Sequence, residues 1–149
     1  MQNLFETDVY NSILDRINKL SPSSEARWGK MNVAQALAHM TQTFSVPLSE
    51  KKLPRMFIGY ILGPFVKAQL YNDKPWKKNL PTAPNFIIRD ERNFENEKQL
   101  LLDVVKKFYT AGPAGITKYP HPMFGKFTPE QWGMAMFKHL DHHLTQFGV

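Results

Sequence analysis

The sequence contains no cysteine. This absence excludes disulfide bonds and thiolate-ligated metals, so any bound metal ion must be held by nitrogen and oxygen atoms.

Long apolar runs are also missing. The longest lies at residues 56–66, between Arg55 and Lys67, and is far shorter than the roughly 20 residues that a transmembrane helix needs. The sequence therefore predicts no membrane association.

The N-terminus lacks the pattern of a secretory signal. No basic segment followed by an apolar core occurs in the opening residues MQNLFE, so we expect a cytoplasmic protein. The chain has 149 residues, of which 42% are hydrophobic and 21% are charged, as is typical of a soluble globular protein. We expect one domain covering residues 1–149.

Alternating strand patterns are absent too, apart from a brief apolar stretch at residues 86–88. Apolar residues instead recur at helical spacing, and capping residues mark several helix ends. Helices are predicted at residues 6–20, 32–46, 54–71, 93–111 and 129–147, with Pro64 expected to kink or split the third. The pattern predicts an all-α fold, a four-helix bundle with long connecting loops and one extra or broken helix.

The net charge of +6 is weakly informative. A nucleic-acid surface would need the basic residues on one continuous face, with aromatic rings to stack on bases. Two solvated loops are the simpler interpretation, and an anionic small-molecule substrate is a third, so nucleic acid is not the expected partner. The basic residues form two groups, Lys51, Lys52 and Arg55, and then Lys74, Lys77 and Lys78 beside Trp76.

Three of the five histidines lie in the last predicted helix. His139 and His143 are four residues apart, which places both rings on one helix face, at the edge of its apolar stripe. Two such imidazoles can bind a transition metal if a third ligand comes from elsewhere. His142 projects outside the stripe, towards solvent or the surroundings of the site.

The other polar candidates are less clearly placed by helical projection. His39 lies off the buried stripe of the second helix, where a surface or rim histidine is more common than a metal ligand. His121 follows a proline in a loop and is expected to cap a turn or line an entrance. Gln146 either orients a bound molecule or is a polar rim residue. For hydrogen-bond partners of the imidazoles, Asn32, Gln35 and Gln42 are candidates.

Three motifs carry a resemblance to a known family. They are WGKMN at residues 28–32, which leads into ALAH at residues 36–39, HPMFGKFT at residues 121–128, and KHLDHHLTQFG at residues 138–148. Together they resemble an uncharacterised branch of the DinB/YfiT-like superfamily of metal-binding four-helix bundles. The resemblance implies a divalent metal, most often zinc or nickel, held by His39, His139 and His143. Gln146, His142 and His121 would then lie around the metal or line its pocket.

Two hypotheses about function follow from this resemblance. The first is a metal-dependent enzyme, either a hydrolase or a thiol-S-transferase, acting on a small-molecule substrate such as a low-molecular-weight thiol. Its catalytic acid and base are not assignable from the sequence. The second is a non-catalytic bundle that binds a small molecule or a protein and keeps the histidines as a structural or vestigial cluster. A homodimer is compatible with either hypothesis, although no residue pattern demonstrates it.

Overall fold

The prediction of an all-α fold is confirmed. A computed structural model describes the backbone of residues 1–149 and every side chain except those at positions 58, 60, 62, 64 and 65. Within this description no β-strand forms, and the only pairing of that kind is an isolated bridge between His121 and Gly125. The helices are α1 Thr7–Lys19, α2 Val33–Thr43, α3 Phe57–Lys67, α4 Phe94–Ala111 and α5 Pro129–Gln146, with short 3-10 turns at Ala68–Leu70, Pro84–Phe86 and Pro113–Gly115.

Helix ends are set where the sequence predicted capping. Asn32 and Thr128 each form a complete capping box with the glutamine three residues later, at the start of α2 and α5. Gly148, with φ +83°, follows the end of α5. α2 ends at Thr43, before the predicted residue 46, because the next amides bond to carbonyls three residues back, which tightens the chain ahead of Pro47.

Four of the helices form the bundle. α1, α2, α4 and α5 pack around one apolar core, to which none of the described side chains of the third helix belongs. Burial of these side chains is the main favourable contribution to folding. Among the described residues, the largest fully buried side chains come from these four helices and their flanking loops, and they are Leu4, Ile13, Ile17, Leu37, Met40, Phe44, Pro47, Leu101, Val105, Phe108, Leu140 and Leu144.

α3 is the extra helix that the sequence predicted. Its α-helical backbone continues through position 64, so the proline does not split it, and 3-10 geometry begins only at Ala68. Gly59 and Gly63 lie against the backbone of Met123, where a side chain would leave no room for the loop. α3 is strongly apolar, yet among the described residues no helix has both the length and the apolarity to cross a membrane.

The long connection from α3 to α4 runs beside the polar face of α2. Gln35 and Gln42 donate to backbone carbonyls of this connection at 3.3 and 2.9 Å, and His39, which lies between them on the helix, bonds to another at 2.9 Å. The brief apolar stretch at residues 86–88 forms no strand, and its backbone is instead bound to an α2 side chain. α2 is covered on two faces as a result.

A buried lysine holds the first part of the same connection. Lys138, on α5, is 7% exposed, and its ammonium donates to the carbonyls of Gln69 and Asn72 at 2.6 and 2.8 Å and to the Asn72 side chain at 2.7 Å. The indole of Trp76 donates to the same Gln69 carbonyl at 2.9 Å. These bonds place Trp76 beside the histidines of α5.

Candidate metal centre

Three histidines converge between α2 and α5. The candidate ligand atoms of His39, His139 and His143 lie within 4.8 Å of one another. The closest pair is Nε2 of His39 and Nε2 of His139, 3.1 Å apart. Each pair of rings meets edge to face, with centroids separated by 4.8–5.0 Å. The helical spacing of the α5 pair explains their common direction, and α2 supplies the third ring.

The other ring nitrogen of each histidine faces an oxygen atom. Nδ1 of His39 lies 2.9 Å from the carbonyl oxygen of Phe86. A carbonyl only accepts, so this Nδ1 carries the proton. Nδ1 of His139 lies 3.2 Å from the hydroxyl of Thr43, which itself donates to the carbonyl of Met40 at 2.7 Å. Because the Thr43 hydroxyl donates its proton to Met40, its oxygen accepts a hydrogen bond from Nδ1 of His139.

Gln146 fixes the third imidazole. Its side-chain oxygen lies 2.8 Å from Nδ1 of His143, while its amide nitrogen donates to the carbonyl of Trp28. The second bond identifies the oxygen of Gln146 as the atom that faces the ring, so His143 also carries its proton on Nδ1. Gln146 is 3% exposed. Gln146 is therefore a buried residue that orients a histidine. It is not a polar rim residue, which was one of the two interpretations of the sequence.

This hydrogen bonding leaves all three Nε2 atoms with free lone pairs inside the cluster. Two unprotonated nitrogens 3.1 Å apart, as in His39 and His139, repel each other unless a metal cation or a proton lies between them. Tetrahedral zinc with nitrogen ligands at about 2.0–2.1 Å would separate neighbouring nitrogens by about 3.3 Å. The spacing of the closest pair is near that value. The three residues could therefore hold a metal ion.

Burial keeps these imidazoles neutral. His39, His139 and His143 are 5%, 9% and 8% exposed. Loss of hydration lowers the pKa of His143 to about 3, with a further contribution from the neighbouring His39. Burial also lowers the pKa of His39 and, more strongly, that of His139. A neutral imidazole is the form that binds a metal, so the centre is in its ligating state at pH 7.

The donor set consists of imidazoles alone. Among the described residues, no carboxylate belongs to the cluster. Asp141, the acidic residue between the α5 histidines, points away and pairs with Arg16 of α1 at 2.7 Å. Three neutral nitrogen ligands suit zinc, nickel, copper or iron better than magnesium or calcium, which prefer oxygen.

His142 lies outside the cluster, as helical projection predicted. It is half-buried, and its ring centroid lies 5.1 Å from that of His143. Its other neighbours are the indoles of Trp28 and Trp76, at 5.7 and 5.6 Å. Burial lowers the pKa of His142 as well, which Asp141 partly offsets. His142 therefore stands between the cluster and the two tryptophans.

His121 is not part of the centre. Its Nδ1 accepts from the backbone amides of Met123 and Phe124 at 3.0 and 3.2 Å, so it caps a turn, as the sequence suggested. Its ring packs on Trp132, near the start of α5 and roughly 10 Å along the helix from His139. Burial, and then the charge of Arg55, lower the pKa of His121 to about 4.

The partners of the imidazoles were mostly missed from the sequence. Asn32 and Gln35 bond to each other in a capping box, and Gln42 binds the backbone of residues 84–90. Thr43, one turn after His39 on the same helix face, could have been found from its spacing. The carbonyl of Phe86, which accepts from His39, could not have been found from spacing, because it belongs to an irregular segment.

Comparison with known proteins places the chain in a family. The family model described as "Protein of unknown function (DUF1569)" matches residues 3–148, nearly the whole sequence. No curated protein and no solved structure matches significantly. The chain therefore belongs to the DUF1569 family.

Proposed function

We propose that this protein is a divalent-metal-dependent enzyme of the hydrolase or thiol-S-transferase type, related to the DinB/YfiT-like superfamily. The metal ligands are His39, His139 and His143. The observation that supports this most directly is the orientation of the three rings. Each Nδ1 has an oxygen partner, and each Nε2 is left with a free lone pair in a buried cluster. This is the usual arrangement of metal-binding histidines and the groups that orient them.

The ligand set fits zinc or nickel with a position left for a substrate. Three neutral imidazoles do not reduce the charge of a divalent ion, which would supply Lewis-acid chemistry to a water molecule or a thiolate at its remaining position. Phe86, Thr43 and Gln146 keep the rings in place through their oxygen atoms. The chain has no cysteine, so in a thiol transfer the sulfur nucleophile comes from the substrate.

A second function rests on a different arrangement of the same protons. If the Thr43 hydroxyl turns to donate to Nδ1 of His139, that ring carries its proton on Nε2 and donates to His39 across the 3.1 Å gap. The closest pair of imidazoles is then joined by a hydrogen bond without a metal. This supports a non-catalytic bundle with a structural histidine cluster, which binds a small molecule or a protein.

Metal analysis tests the assignment of the ligands. The purified protein should contain about one zinc or nickel ion per chain by elemental analysis, and the His39→Ala, His139→Ala and His143→Ala variants should lose it. His142→Ala is the matched control and should keep the metal, since His142 lies outside the cluster. Full metal content in His143→Ala would disprove the ligand assignment.

Turnover is a separate test. The metal-loaded protein should hydrolyse an ester or amide substrate, or transfer a low-molecular-weight thiol to an electrophile, in a screen of both classes. Activity should disappear with a chelator and return with zinc or nickel. Stoichiometric metal without any chelator-sensitive turnover would favour the non-catalytic function.

A further inference from the structure

A cleft of about 460 Å³ opens on the side of the metal centre where His142 lies. Trp28, from the loop before α2, and Trp76, from the connection after α3, line it together with His142 and Thr145 of α5. Its volume is within the range of small-molecule sites, about 300–1,000 Å³. The cleft is therefore large enough for a substrate.

The cleft and the histidine cluster share their wall. The ring of Trp76 lies 5.8 Å from that of His139 and 5.6 Å from that of His142. The backbone of Trp28 accepts the hydrogen bond from Gln146, the residue that orients His143. None of the three ligands lines the cleft, so a molecule bound there would lie next to Trp76 and His142, whose rings pack against those of His139 and His143.

The charge of the cleft is positive. Its two acidic residues are both paired, Asp73 with the N-terminal ammonium at 3.5 Å and Asp141 with Arg16 at 2.7 Å. Arg27, Lys74 and Lys78 also line it and are exposed, and within the described part of the chain they form no ion pair with an acidic side chain. A concave site of one charge attracts ligands of the opposite charge.

The walls are also planar and apolar. Both indoles lie near His142, with ring centroids 5.7 and 5.6 Å from it. The ammonium of Lys78 lies over the ring of Trp28, 4.7 Å from its centroid, so a charge and an aromatic face are presented together. This combination suits a ligand that has both an anionic group and a flat or apolar part.

We propose that this cleft binds the substrate of the metal centre, and that the substrate is a small organic anion with a planar apolar part. Its anionic group lies near Lys74, Lys78 and Arg27, its flat part contacts Trp28 and Trp76, and its reacting group lies at the His142 end of the cleft, on the side of the metal centre. This assignment rests on the proposed metal-dependent function.

The distribution of basic residues favours a small molecule over a nucleic acid. In the sequence, Arg27 comes before the N-terminal end of α2, and so does Trp28, over whose ring the Lys78 ammonium lies. Lys51 and Lys52 come after the C-terminal end of α2. Neither Lys51 nor Lys52 lines the cleft, so these two lysines are not part of the positive charge beside the metal centre.

Two aromatic probes of the same shape test the proposal. Naphthalene-2-sulfonate is an anion and a poor metal ligand, and naphthalene-2-sulfonamide is its neutral analogue. Binding is measured by calorimetry on the full-length protein, both metal-free and loaded with zinc. The sulfonate should bind at least tenfold more tightly than the sulfonamide in both forms. Equal affinities would overturn the anionic assignment.

Variants locate the binding. Lys74→Gln with Lys78→Gln should weaken sulfonate binding about tenfold and leave sulfonamide binding unchanged, while Trp76→Leu should weaken both. The matched control, Lys51→Gln with Lys52→Gln, should change neither. Equal losses in the control pair would overturn the location. A single-stranded oligonucleotide that binds more tightly than the sulfonate and is weakened by both lysine pairs would overturn the small-molecule assignment.

The metal-free measurement separates the two proposals. Sulfonate binding in the cleft of a protein that takes up no zinc would overturn the metal centre and leave the cleft as an anion site. Zinc binding without sulfonate binding would overturn the cleft and leave the metal centre.

Discussion

Gln146 is the residue whose replacement best tests how the metal centre is held. Its oxygen accepts from His143 and its nitrogen donates to Trp28, and the side chain is 3% exposed. Methionine has a similar length and no hydrogen-bonding amide. Gln146→Met therefore keeps the packing and removes both bonds, so that the ring of His143 is no longer fixed in orientation or tautomer.

Two effects of different size are expected from this replacement. Zinc affinity should fall by about 10–100-fold, as is common when a group that orients a histidine ligand is lost. This corresponds to about 1.4–2.7 kcal/mol of binding free energy. The metal-free protein should also lose about 2 kcal/mol of unfolding free energy, because a buried ring N–H and a partly buried carbonyl are left without partners.

Competition with a chromogenic chelator measures the zinc affinity, and urea unfolding of the metal-free protein measures the stability. Gln99→Met is the matched control, since Gln99 is exposed on α4 and its side chain donates to the exposed Asp103 of the same helix. The control should change neither quantity by more than experimental error. A Gln146→Met protein with wild-type zinc affinity would refute the argument that this glutamine orients a ligand, and so would equal losses in the two variants.

Two further predictions concern groups outside the metal centre. Lys138→Met should lower the unfolding free energy by about 2–3 kcal/mol in urea, because three hydrogen bonds to residues 69–72 are lost, while Lys106→Met on the surface should cost under about 0.5 kcal/mol. Equal losses of unfolding free energy in the two variants would contradict the conclusion that Lys138 holds residues 69–72 in place. The metal-free protein should also lose stability as the pH falls from 7 to 5. The pKa of His121 is about 4 in the fold and about 6.5 when unfolded, so only the unfolded chain takes up a proton there, and this group contributes up to about 1.4 kcal/mol per pH unit. His121→Asn, whose amide oxygen can replace Nδ1, should make the urea midpoint less dependent on pH, and an unchanged slope would exclude this cause.

Much of the fold follows from local sequence signals. The capping boxes at Asn32 and Thr128 define the starts of α2 and α5, because a side chain there satisfies backbone amides that have no partner within the helix. The C-terminal boundary of α2 was predicted less well. Its last residues tighten into turns before Pro47, and helical periodicity does not register such a change.

The candidate site was only partly visible from periodicity. His139 and His143 could be paired because both lie on the buried side of α5. His39 could not be singled out by projection, since it lies off the main apolar stripe of α2. That analysis assumes one packed face, whereas α2 is covered by the bundle on one side and by residues 84–90 on the other. The family resemblance supplied His39, and the structure places it beside the other two.

The bonds from α2 to residues 84–90 have a consequence for how the sequence can change. Every acceptor on that segment is a main-chain carbonyl, so the three donors of α2 recognise its backbone and not its side chains. Substitutions within the segment should leave the orientation of His39 intact. Deleting or inserting a single residue would move a different carbonyl opposite the ring. The spacing of this connection, more than its amino-acid identities, is therefore what an engineered or diverged version must preserve.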